Sequence, residues 1–333
     1  MYNYILVNGY FATGASAVVD YLKEFEGVFT SDCEFRILKD PHGVIDLDNI
    51  LNGNNDVLNE DMAMREFLLF AKKYIKKGGK FRPFGLGYEN YYGKNFYKIT
   101  ENYINSLTDS KYRGHWWYID ILDAYPKFIL HKILRKFKIY DDRRKSFMYF
   151  RNKDELDFLE KTRNYINQIF DDLFSNEKKN DYIVLEQAVA ANQPGLAQRY
   201  FPGSKVIVVD RDPRSVYYES NTRLSSTLGQ MGQYVNNTKN YSLFVDYYKK
   251  CRQESKYKGD CFRIQFEDFV LDRNDIRKKL LEYVGITEDK HIRKEEFFKP
   301  NVSIKNIDVW KHYDYDDAYR FLEKELTDYL YNY

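Results

Sequence analysis

The chain opens on a near-continuous apolar run, Tyr4–Asn8 (YILVN), the pattern of a strand covered on both faces. A glycine-containing loop follows at Gly9–Ser16. Next comes Ala17–Phe25, where Val18, Val19 and Leu22 fall at helical spacing. Strand, glycine loop, helix is how a doubly wound sheet begins. Val28–Thr30 reads as a short second strand, and polar Ser31–His42 leads from it to Ile45–Leu51. From about Met62 to Ser175 the period is mostly helical. Phe67, Leu68, Ala71 and Ile75 share one face there, and Leu156, Leu159, Arg163, Ile166, Phe170 and Leu173 line a later one. An irregular Gly/Tyr-rich part, Gly78–Gly93, lies between these faces. No Pro/Ser linker brackets the stretch, so it is predicted to be a mainly helical insertion at about 62–175 within a single domain spanning 1–333. Strand-like runs return at Tyr182–Leu185 and Lys205–Val209, with a helix predicted over Pro194–Tyr200 between them. A further strand is predicted at Cys261–Gln265, then helices over Arg273–Val284 and Tyr315–Tyr331. The expected fold class is α/β: a P-loop-like doubly wound sheet, mostly parallel, with helices on both faces.

Composition narrows the picture without changing it. Charged residues make up 31% and apolar ones 44%, and 52 Lys and Arg against 50 Asp and Glu leave a net charge of +2. Nothing in that balance calls for nucleic acid or a membrane. Three cysteines without a C-x-x-C pair argue against a disulfide framework and a zinc site, so no metal is expected. The opening MYNYILVNGY lacks a basic leader, and no window approaches the roughly 18 uninterrupted apolar residues of a membrane span. A cytoplasmic protein is the expectation. The 32 Tyr and 24 Phe have two readings, platforms for stacking sugars or a compositional bias of the source proteome.

Gly9-Tyr-Phe-Ala-Thr-Gly14-Ala15-Ser16 stands between the first strand and the first helix. A loop there aims backbone N–H groups and the positive end of a helix at one point, which suits a phosphate or sulfate oxygen. Its spacing fits G-x-x-x-x-G-K-[ST], except that Ala15 stands in place of Lys. That substitution disfavours a Mg-ATPase, and an ordinary tight turn is the competing reading. The second constellation is Lys205-Val-Ile-Val-Val-Asp210-Arg211-Asp212-Pro213-Arg214-Ser215-Val216. It sets two arginines just past the carboxyl end of a strand, where open α/β sheets bind ligands. Pro213 suits a first helical turn and Asp212 its N-cap, leaving Arg211 to fork onto a phosphate. The alternative is a structural arginine paired with Asp210 or Asp212.

This second segment resembles the 3′-phosphate-binding R-[DN]-P-R-[DS]-V-x-x-S segment of PAPS-dependent sulfotransferases of bacterial type. Thr13-Gly14-Ala15-Ser16 resembles that family's 5′-phosphosulfate loop. Phe266-Glu267-Asp268-Phe269, followed by Tyr283-Val284-Gly285-Ile286, resembles its "yEdL … fLGI" helix, and Ser303 to Lys311 resembles its C-terminal "S…n…WK" segment. The landmarks occur in family order, and none of them covers 62–175. The resemblance implies PAPS as donor, PAP as product and sulfuryl transfer without a metal. It implies donor contacts from Ala12, Thr13, Gly14, Ala15, Ser16, Arg211, Ser220, Lys305, Trp310 and Lys311.

Two positions depart from the family pattern. Ala12 replaces the loop cation, and Glu219 replaces the serine eight residues after Arg211, with Ser220 one place further on. Arg36, Lys39, Lys305 and Lys311 are candidates for the missing charge. The resemblance also implies a general base some 20 to 30 residues past the first loop. Glu34, 20 residues beyond Gly14, is the first candidate, with Asp40 and His42 next. An exposed carboxylate paired with Arg36 is the competing reading of Glu34. Glu186 faces the same cleft edge, and His115 beside Trp116 and Trp117 suits an acceptor platform or a buried aromatic corner. Basic residues crowd Lys127–Lys145 with Phe128, Leu130, Leu134 and Phe137 at helical spacing. That pattern suits peripheral contact with a membrane surface or a solvated helix packed on its neighbour. The leading function is sulfation of a carbohydrate or glycoconjugate hydroxyl. A kinase-like nucleotide-dependent transferase and a non-catalytic binder of nucleotide or anionic glycan are the alternatives.

Overall fold

The computed structural model describes residues 2–79, 82–114, 125–137, 146–151, 154–175, 180–221, 241–253, 259–312 and 316–333. His115, Trp116 and Trp117 lie outside them, as do residues 138–145 of the basic segment. The strands, in chain order, are β1 (Asn3–Gly9), β2 (Val28–Thr30), β3 (Lys77–Gly79), β4 (Arg82–Leu86), β5 (Ser110–Gly114), β6 (Ser146–Phe150), β7 (Tyr182–Glu186), β8 (Lys205–Asp210) and β9 (Phe262–Gln265).

The chain divides into two compact units. The first comprises residues 1–40, 90–93 and 169–333 and carries a five-stranded sheet in the order β2-β7-β1-β8-β9, every neighbouring pair parallel. The fold is therefore the parallel α/β sheet expected from the sequence. After Asn3, β1 is buried along its whole length, which is why YILVN shows no polar alternation. Ile5 and Val7 meet Val184 of β7, Ile207 of β8 and Val18 and Leu22 of helix Ala15–Leu22 in one core. That helix begins at Ala15 rather than Ala17, because Gly14 takes the left-handed conformation (φ 83°) that turns the strand into it. Between β1 and β8 the strand order reverses, so the loops leaving these two strands face each other across a topological switch point.

The closing helix covers Asp316–Glu325 and stops short of the predicted Tyr331. At its end the Thr327 hydroxyl bonds the carbonyls of Glu323 and Lys324, competing with the helical ladder. Beyond it the Tyr331 N–H donates to Asp212. The predicted helix over Arg273–Val284 is Ile276–Val284, preceded by a short 3₁₀ turn in which Asn274 has positive φ.

The second unit comprises residues 41–89 and 94–168. Helix Val57–Ile75 is capped by Asp56, which accepts from the Asn59 N–H, and helix Phe96–Leu107 and the helical residues from Glu155 onward complete its core. Tyr103 and Tyr165 stack there at 4.5 Å, bonded to Thr162 and Thr100. Much of the tyrosine content is thus core material. The irregular Gly78–Gly93 stretch contains the antiparallel pair β3–β4, and β5 pairs with β6. In the basic segment a helix forms over Tyr125–Lys136, and Leu130, Ile133 and Phe137 are exposed. No described helix is long and apolar enough to cross a membrane.

Candidate functional site

The two loops singled out in the sequence meet in the first unit. Ala12 (φ 59°) and Gly14 (φ 83°) are left-handed, so the chain coils tightly between β1 and its helix. Gly9 is glycine for a steric reason: a Cβ there would lie 2.3 Å from the Thr13 Oγ1. At Gly14 a Cβ would come 2.4 Å from Phe266 Cδ2, so the backbone passes directly over that ring. No side chain caps the helix that starts at Ala15; the Ala17 N–H bonds the Gly14 carbonyl, and the N–H groups of Ala15 and Ser16 at the helix start suit a ligand.

A pocket of about 550 Å³ opens beside this loop. Ala12, Gly14 and Ser16 line it from the loop, Arg211 and Glu219 from beyond β8, and Lys299, Ser303 and Asn306 from the C-terminal segment. Thr13 turns inward, its hydroxyl donating to the Tyr10 carbonyl, and Ala15 is buried, so neither side chain is on the pocket wall.

Asp212 caps helix Pro213–Asn221, accepting from the Arg214 N–H at 2.8 Å, as the sequence implies. Neither neighbouring aspartate is the carboxylate facing Arg211. Asp210 pairs with Arg252 and Arg263, and Asp212 with Arg214. The Arg211 guanidinium is 4% exposed. It donates to the carbonyls of Ala12 (2.8 Å) and Asn306 (2.6 Å), lies over Phe266, and sits 3.6 Å from the Glu219 carboxylate. It thereby ties the loop to the C-terminal segment. Among the described residues its buried Nε has no hydrogen-bond partner.

The other residues predicted to hold the donor are distributed differently. Ser220 is fully buried and its hydroxyl donates to the Val216 carbonyl one turn back, so Glu219 is the residue of this pair on the pocket wall. Trp310 lies under the Arg214 guanidinium at 4.0 Å and donates to the Tyr333 hydroxyl. Lys311 pairs with Asp308, and Lys305 is exposed. Among the described residues the lysine on the pocket wall is Lys299.

Carboxylates and cations gather at the carboxyl end of β7, the neighbour of β1, where Glu186 stands in register with Val7. Arg36 bridges Glu34 (2.9 Å) and Asp40 (2.8 Å), so these two candidate bases share one guanidinium. His42 belongs to the second unit, where its Nδ1 lies 3.0 Å from Glu66. Glu186 is different in character. Burial, then the negative charges of Glu34 and Asp20, push its carboxyl up to about 7, against the pull of Lys39. Burial, then Arg36, lowers Lys39 to about 8, opposed by Glu34, Asp40 and Glu186. The Lys39 ammonium donates to Gln187, a residue held at φ 62°. Asp20 is also on the pocket wall, which links this cluster to the pocket.

Two contributors were not singled out from sequence. Glu24, buried, accepts from the N–H groups of Phe297 and Phe298 and pairs with His291, fixing one wall of the pocket. Lys299 is the other. Neither Glu24 nor Lys299 sits in a motif, so only the folded chain reveals them.

A family model described as "Sulfotransferase family" matches residues 105–290, more than half of the chain. Among solved structures the chain is similar to the sulfotransferase domain of the Synechococcus PCC 7002 olefin synthase. That match has 11% identity and a TM-score of 0.43, and it covers 100% of this chain and 96% of that one. It is also similar to the sulfotransferase STF9 from Mycobacterium avium, at 12% identity and a TM-score of 0.40, covering 98% and 76%. At these scores neither likeness adds to the fold assignment, which rests on the strand order. No curated protein matches the sequence.

Proposed function

The chain belongs to the sulfotransferase family, and on that premise we propose that it carries a sulfuryl group from a nucleoside phosphosulfate to a hydroxyl of a carbohydrate or glycoconjugate. PAPS is the donor that the sequence motifs imply. The observation that carries the reading is the pocket itself, with the uncapped helix N-terminus at Gly14 and Ser16 on one wall and Lys299 on another. Such an arrangement suits the 5′-phosphosulfate of the donor.

The chemistry is an in-line displacement. The acceptor oxygen forms a bond to sulfur while the sulfur–oxygen bond to the 5′-phosphate breaks, and the nucleotide leaves with that electron pair. The acceptor proton goes to Glu186, whose pKa of about 7 matches a base working near neutral pH better than a carboxylate already bound to Arg36. Lys39 supplies the positive charge that Ala12 does not.

The test is incubation of the protein with PAPS or adenosine 5′-phosphosulfate and a panel of saccharides, read by mass spectrometry. Addition of one sulfate to a saccharide with release of the nucleotide is expected. Phosphate transfer from ATP with Mg²⁺, or nucleotide binding with no transfer to any acceptor, would overturn the proposal in favour of a kinase-like enzyme or a non-catalytic binder.

A further inference from the structure

The pair Arg211 and Glu219 does not have the chemistry of a phosphate site. Both side chains line the pocket and both are buried, at 4% and 5% exposure, with 3.6 Å between guanidinium and carboxylate. A buried phosphate group needs surplus positive charge and donors. Here the guanidinium faces a carboxylate, and two of its N–H groups already serve the Ala12 and Asn306 carbonyls. Glu267 adds a further carboxyl close to Arg211, its pKa pushed up to about 7 by burial. Among the described residues, the charged side chains lining the pocket are Asp20 and Glu219 against Arg211 and Lys299, with no net positive charge between them. A second phosphate arriving at Glu219 would set like charges together beside a buried carboxylate, a costly juxtaposition.

What the pair does offer is a donor and an acceptor side by side. Among the described residues the buried Arg211 Nε–H has no hydrogen-bond partner, and the Glu219 carboxylate only accepts. A hydroxyl answers both at once, because it accepts from the guanidinium and donates to the carboxylate. Proteins that bind dinucleotides separate a ribose hydroxyl from a ribose phosphate by the same contrast of acid and arginine. We infer that Arg211 and Glu219 form a subsite for a ribose hydroxyl, so the donor is a nucleoside 5′-phosphosulfate with a free 3′-hydroxyl rather than its 3′-phosphorylated form. The inference rests on the reading of this pocket as the nucleotide site and narrows it to one donor class.

Calorimetric titration with 5′-AMP and with adenosine 3′,5′-bisphosphate separates the two donor classes through their product nucleotides. Wild type is expected to bind 5′-AMP about tenfold more tightly or better. Glu219→Ser and Glu219→Gln, which remove the negative charge, are expected to raise bisphosphate affinity about tenfold and narrow or reverse the preference. Equal or tighter binding of the bisphosphate by wild type overturns the inference and leaves the sulfotransferase reading intact. Binding of neither nucleotide overturns both. Should either variant fail to fold, the wild-type preference alone decides.

Discussion

Replacing Glu186 by Gln removes the buried carboxyl at the end of β7 that is proposed as the general base. The folded protein raises this carboxyl from 4.5 to about 7, mainly by burial and then through Glu34 and Asp20. Folded Glu186 therefore holds its proton more tightly than the unfolded chain does. The stability this contributes is present below about pH 4.5 and is lost as pH rises through 7, the usual sign for a raised pKa. At 1.36 kcal/mol per unit the cost of ionising the buried group is roughly 3 kcal/mol. Glu186→Gln should thus melt several degrees above wild type at pH 8, with the two proteins converging near pH 4.5. Its activity should move the other way. Loss of a general base lowers kcat by about 10²–10⁴, and the acid limb near pH 7 disappears from the rate profile. Melting curves from pH 4.5 to 8 beside kcat against pH read both effects. A variant that keeps wild-type kcat and the acid limb, or a wild type whose melting does not depend on pH in this window, would refute the assignment.

Other substitutions probe other parts of the site. Because Lys39 is lowered to about 8, wild-type activity should decline above that pH as the ammonium loses its charge, and Lys39→Arg should move the decline upward; a rate profile shows either. Glu24→Ala strands the N–H groups of Phe297 and Phe298 and should cost about 2–4 kcal/mol in chemical denaturation while weakening nucleotide binding. Gly14→Val, whose Cβ would meet Phe266 at 2.4 Å from a left-handed backbone, should abolish nucleotide binding in calorimetry. Ser220→Ala should leave nucleotide affinity within about twofold, since its hydroxyl is committed to Val216 inside the helix.

The sheet was readable from the sequence because parallel strands buried on both faces leave uninterrupted apolar runs, as YILVN and KVIVV do. Loops that bind backbone-first were readable too, through glycine spacing at Gly9 and Gly14 and the Asp212 cap. Side-chain direction was not. Thr13 and Ser16 are equivalent hydroxyls on paper, yet left-handed Ala12 and Gly14 turn one inward and leave the other on the pocket wall. Ser220 and Glu219 differ by one helical position, which decides the chemistry of the wall. The choice of base was hidden for a similar reason. Glu34, Asp40 and Glu186 are equal as carboxylates, and only packing shows that two share Arg36 while the third is buried among negative neighbours.

The central claim is that nucleotide binds against the first loop and the C-terminal segment that Arg211 ties together. Hydrogen–deuterium exchange with and without the tighter-binding of 5′-AMP and adenosine 3′,5′-bisphosphate tests it most directly. Slowed exchange is predicted over Gly9–Ala17 and Phe297–Asn306, and the same nucleotide should leave both segments unprotected in Arg211→Ala. Protection confined to other segments, or protection by ATP with Mg²⁺ alone, would contradict the account.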